Sequence, residues 1–188
     1  MKDVLLTSIL VLIMALTGCN LTSQATSSAT DKVRARNEGY TLLYSLASKD
    51  SDAGKIFFIK HARLQVVTEI KQISQVYKDA KQKLDDFKIQ DPTLNYSVSD
   101  LPEIEVKTRD AIEATYTKKL LFSSGTKFEV EFLQAQIRSL DYAAHLAKMI
   151  GVNEDSKTRK AYLTEFAKQC DQHHKIIIDL LASLGKTP

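Results

Sequence analysis

The chain has 188 residues, 44% of them hydrophobic and 26% charged, with six Gly, three Pro and no Trp. That length suits one folded domain plus a tether, and so few helix breakers favour long helices over a sheet with many turns. A net charge of +3, from 26 basic and 23 acidic side chains with no dense basic block, argues against a nucleic-acid surface.

The first elements concern export. Lys2 gives a short positive start, and Val4 to Leu16 is a 13-residue apolar run. A helix needs about 20 residues to cross a bilayer, whereas the core of a secretory signal takes about 7–15. The run ends in Leu16-Thr17-Gly18-Cys19. This tetrapeptide resembles the lipobox of bacterial lipoproteins at each of its four positions. The resemblance implies cleavage between Gly18 and Cys19, and lipid attachment to the Cys19 thiol, the strongest side-chain nucleophile. Residues 1–18 are then the signal peptide, and the membrane is a partner through the lipid. Asn20, where an Asp commonly retains lipoproteins at the inner membrane, resembles the outer-membrane pattern of a Gram-negative cell facing the periplasm. With Cys19 acylated, Cys170 has no partner in the chain, which excludes a disulfide framework.

Residues 19–30 are rich in Ser and Thr and uncharged up to Asp31, the composition of a flexible tether. Residues 31–52 read as a short helix around Tyr40, Leu43 and Leu46 followed by a polar linker. Residues 53–188 read as four helices. The first is expected from Ala53 to Lys88, with Asp52 as N-cap and Ile59, Val66, Val67, Ile70, Ile73, Tyr77 and Leu84 on one face. The second is expected from Ser99 to Phe122, opened by cap, Pro and acid in suitable places. The third spans Lys127 to Ile150, capped by Thr126 and stopped by Gly151 at C′. The fourth runs from Ser156 to Leu184, its seam formed by Tyr162, Phe166, Cys170, His173, Ile177, Leu180 and Leu184. Short connections make neighbours antiparallel, so the fold class is all-α, an up-down-up-down four-helix bundle.

The segment Leu120-Leu121-Phe122-Ser123-Ser124-Gly125-Thr126-Lys127-Phe128-Glu129, continuing through Phe132-Leu133-Gln134-Ala135-Gln136, is similar to the opening of the third helix in an uncharacterised family of bacterial exported proteins. Arg159-Lys160-Ala161-Tyr162 and the late His173 or His174 extend the similarity, which covers about two-thirds of the chain. It implies a ferritin-like bundle. The chain departs from the family by lacking an Asp-His pair between Gln75 and Phe87, and by carrying Ser139-Leu140 where another His is usual.

Little chemistry is legible. A ferritin-like di-iron site needs Glu-x-x-His on two helices, and the chain has none. Cys170, His173 and His174 lie three or four apart, a spacing that would suit zinc or copper, but no third-element ligand is identifiable and the seam explains them equally well. No cofactor is expected. His61 and His145 project to solvent. Arg63 falls within the apolar stripe, where it either snorkels or pairs with a carboxylate such as Glu105 or Glu113. Nothing resembles a nucleophile elbow or a phosphate loop. The expectation is a non-catalytic envelope lipoprotein that binds an envelope protein or is structural; the alternative is a metal- or small-molecule-binding bundle.

Overall fold

The computed structural model describes residues 30–185. Two units divide the chain, Met1–Ala35 and Arg36–Pro188. Of the first only residues 30–35 are described, a stretch of helix with an ion pair between Asp31 and Arg34 at 3.1 Å. Everything below concerns the second.

Every regular element among the described residues is helical. Helix α1 occupies residues 30–50. A 3-10 turn follows at Ala53–Phe58, then α2 (Leu64–Gln90), a second 3-10 turn (Val98–Asp100), α3 (Glu103–Phe122), α4 (Gly125–Asn153) and α5 (Lys157–Leu184). On α2, Val66, Ile70, Ile73, Tyr77, Leu84 and Phe87 recur at the helical repeat and are all buried. On α4, Ala143, Ala144 and Ala147 are fully buried, and such small side chains let α5 lie close along it through Leu163, Phe166, Ala167 and Cys170.

Helix α1 supplies far more of the core than its reading as a short helix before a linker suggests. Tyr40, Leu43 and Ala47 are fully buried. The approach to α4 is so close that a Cβ on Gly39 would stand 2.6 Å from Ile150 Cγ1.

Side-chain contacts fix the helix directions. Arg63 meets Glu129 and Tyr77 meets Ser139, so α2 and α4 run the same way. Tyr40 meets Glu154 and Asp50 meets Ser139, so α1 runs against α4. Glu69 meets His173 and Phe87 packs on Tyr162, which sets α5 against α2. Helix α3 is the return path between the parallel α2 and α4.

That role explains a departure from the expected bundle. Helix α3 has no buried residue. It is held at its flanks by Arg109 over Tyr142, Arg138 over Tyr116, and Lys49 beside Glu113 and Asp110. Its apolar residues are spread around the helix rather than gathered in a stripe, so no face can be covered completely.

The expected helix 53–88 is broken. Asp52 makes no capping bond and pairs with Lys55 instead, the chain is non-helical at 60–63, and Ile59 points to solvent. The break serves Glu129, whose buried carboxylate accepts from the Arg63 backbone N–H at 2.5 Å and from its Nε at 2.9 Å. A continuous helix would consume that N–H.

The remaining boundaries shift by smaller amounts. The second helix starts at Glu103, and Ser124 rather than Thr126 stands at the N-cap of α4. Gly125, with φ of 56°, turns the chain between α3 and α4 in a conformation that a side chain resists. Gly151 is buried within α4, which continues to Asn153. The connection 91–102 is pinned by Tyr96, which stacks on Tyr44 with centroids 5.2 Å apart and donates to Leu84 O at 3.0 Å.

Candidate functional site

Four clusters of polar side chains lie inside or at the edge of the core, and they are where chemistry would have to reside. The first joins α2 to α5. Glu69 is buried on the apolar seam, and its Oε1 accepts from His173 Nδ1 at 2.7 Å. Cys170 is one turn away, fully buried and without a disulfide partner. Burial pushes its thiol up to about 12, with Asp171 adding to the effect, so it stays protonated and unreactive at neutral pH. His174 is half-buried. Among the described residues no group of three or more His, Cys, Asp or Glu is placed to hold a metal ion. Cys170 packs within the apolar core, and His173 pairs with Glu69 at its edge.

The second cluster joins α1, α2 and α4. Ser139 donates to Asp50, and because that uses its one proton, Tyr77 donates to Ser139 at 3.0 Å. Burial raises the Asp50 carboxyl to about 6; the Ser139 bond pulls the other way. Burial likewise holds the Tyr77 phenol well above its ordinary value, so that it remains a donor.

The third cluster is Arg63 with Glu129, described above. Of the two openings the sequence left for Arg63, snorkelling or a carboxylate such as Glu105 or Glu113, the structure shows a carboxylate pair, made with Glu129 near the start of α4. The fourth lies at the opposite end of the body. Glu154, at the C-terminus of α4, accepts from Tyr40 Oη at 2.7 Å and from the Arg159 guanidinium, which also reaches Asp91 at 2.8 Å.

In all four the carboxylates are committed to internal partners, and nothing converges on an open cavity. Gln136 keeps one buried acceptor, Oε1, without a partner. Two shallow depressions mark the surface, one of about 560 Å³ along α3 lined by Glu113, Thr117, Leu121 and Phe122, the other of about 390 Å³ between α4 and α5. Both are open to solvent. His61 and His145 are exposed as expected.

The buried acids were the residues that composition and spacing did not single out. A signal existed: Glu69 stands between Val66 and Ile73 on the apolar stripe, and Glu129 between Phe128 and Phe132. An acid on a buried face requires a donor nearby. Cys19, the bond after Gly18, and residues 19–29 of the expected tether 19–30 lie outside the described residues, while Thr30 already belongs to α1. Among the described residues no helix is long and apolar enough to cross a membrane.

The chain is similar in fold to a protein from Streptomyces coelicolor described as "putative secreted protein DUF305", with a TM-score of 0.66 and 18% identity. The match covers 81% of this chain and 95% of that one. No protein-family model and no curated protein sequence matches the chain.

Proposed function

We propose that the protein is an exported lipoprotein, tied to a membrane of the cell envelope through acylated Cys19, whose helical body is a non-catalytic binding or structural module. The observation that carries this reading is the apolar run 4–16 ending in Leu16-Thr17-Gly18-Cys19. Several acyl chains on one terminus would hold the body firmly, since each buried methylene contributes about 0.8 kcal/mol. The word "secreted" in the description of the Streptomyces protein is in keeping with an exported fold.

The body supports a binding or structural role because the carboxylates of its four polar clusters are paired inside the core. The ferritin-like reading is supported by α1 and α2 as one antiparallel pair, α4 and α5 as the other, and α3 as a long crossover. It lacks the Glu-x-x-His pairs that would make such a bundle a di-iron enzyme.

Mass spectrometry of the mature protein tests the anchor. Acyl chains on a terminus beginning at Cys19 are expected; residues 1–18 still attached, with no fatty acid, would overturn the reading. A pull-down from solubilised membranes tests the body, with one stoichiometric envelope protein expected. Stabilisation by zinc or copper that is lost in His173→Ala would favour metal binding instead.

A further inference from the structure

One end of the body is apolar, protruding and ringed by positive charge. Phe58, Ile59, Leu64 and Phe122 are 87, 68, 78 and 84% exposed. They belong together although they come from three elements. Lys60 donates from Nζ to Leu121 O at 2.7 Å and to Ser123 O at 2.8 Å, which fastens the end of the first 3-10 turn to the end of α3. Arg63, next to Leu64, is fastened to Glu129 near the start of α4.

The charge around them is one-sided. Segments 58–64 and 118–128 contain Lys60, Lys118, Lys119 and Lys127, with His61, besides Arg63, whose charge is paired with Glu129. Lys118, Lys119 and Lys127 are exposed. Going back along α3, the first carboxylates are Glu113 and Asp110, two or more turns away and paired with Lys49.

We propose that this tip inserts into the interface of an anionic lipid bilayer. Phe58, Ile59 and Leu64 line neither depression, while Phe122 lines the open one along α3; a protein partner would need a preformed pocket to receive the first three, whereas a bilayer interface conforms to all four. Interfacial elements bury apolar side chains about 5–10 Å deep while Lys and Arg meet the headgroups. The inference uses the anchoring proposal only as the source of a bilayer.

The absence of Trp makes the test direct. Phe58→Trp and Phe122→Trp each place a single indole at the tip of the full chain. Mixed with vesicles of phosphatidylcholine plus phosphatidylglycerol, each is expected to shift its emission to the blue and to be quenched by lipids brominated on their acyl chains. Phosphatidylcholine alone should give little response, and Lys118→Gln with Lys119→Gln should weaken partitioning about fivefold per charge. No response to anionic vesicles, or an equal response to both lipids, overturns the proposal. So does a blue shift that needs only higher protein concentration, which would mean that a second copy covers the tip. Measured in a Cys19→Ser chain as well as the acylated one, the response reports the tip and not the anchor, so the two readings fail separately.

Discussion

Arg159 grips the Glu154 carboxylate with two bonds, Nε to Oε2 at 2.8 Å and Nη2 to Oε1 at 2.9 Å, and the Glu154 side chain is 0% exposed. The same carboxylate accepts from Tyr40, so one acid joins α1, the end of α4 and the start of α5.

Removing the cation should therefore cost more than a surface pair would. Arg159→Met leaves a buried carboxylate with only two neutral donors, the Tyr40 hydroxyl and the Ser156 N–H, and is expected to destabilise by about 3–5 kcal/mol, lowering Tm on the order of 10 °C. Adding Glu154→Gln should recover part of the loss. Burial opposes ionisation of Glu154, but the bonds from Arg159 outweigh it and hold the carboxyl below its ordinary value; bonds from Thr93, with help from Arg159, do the same for Asp91. Both contributions are present above the ordinary carboxylate range and are lost as pH falls below about 4. Thermal melts of the variant and wild type should converge there.

Asp50 behaves in the opposite sense. Its folded value of about 6 exceeds the ordinary 3.8, so the stability tied to its protonated form is full below about 3.8 and lost as pH rises through 6. Asp50→Asn should keep the Ser139 bond without the buried charge. The variant is expected to match wild type near pH 4 and to exceed it above pH 6, by an upper bound of about 3 kcal/mol. A difference that does not change with pH would contradict the assignment.

Gly39 tests the close approach of α1. In an exposed helix Gly→Ala gains about 1 kcal/mol. Here the new methyl meets Ile150 at 2.6 Å, so Gly39→Ala should destabilise by about 1–3 kcal/mol. Combining it with Ile150→Ala should give a cost smaller than the sum of the two, as measured by denaturant unfolding.

Helix α3, with no buried residue, should be the least protected of the long helices. Hydrogen exchange is expected to be faster across 103–122 than across α4 by orders of magnitude.

Anchoring is tested in cells. Wild-type protein should partition into detergent and incorporate labelled fatty acid, and Cys19→Ser should do neither.

The helical class was legible in the sequence because periodicity is local: Ile70, Ile73, Tyr77 and Leu84 share a face whatever packs on them. The start of α5 was legible for the same reason, since Ser156 accepts from Arg159 N within a single turn. The proposed export signal, too, is read from consecutive residues, Val4 to Cys19. Which helices form the core was decided only in three dimensions. The apolar residues of α1 look too few for a core helix until Gly39 brings it against Ile150, and those of α3 look sufficient until nothing covers them. The break before α2 is decided by Glu129, a residue 66 positions from Arg63, whose buried charge needs a backbone N–H that an unbroken helix would have used. Local pattern determines secondary structure; partners for buried charge, and the room for one helix beside another, exist only once the chain has folded.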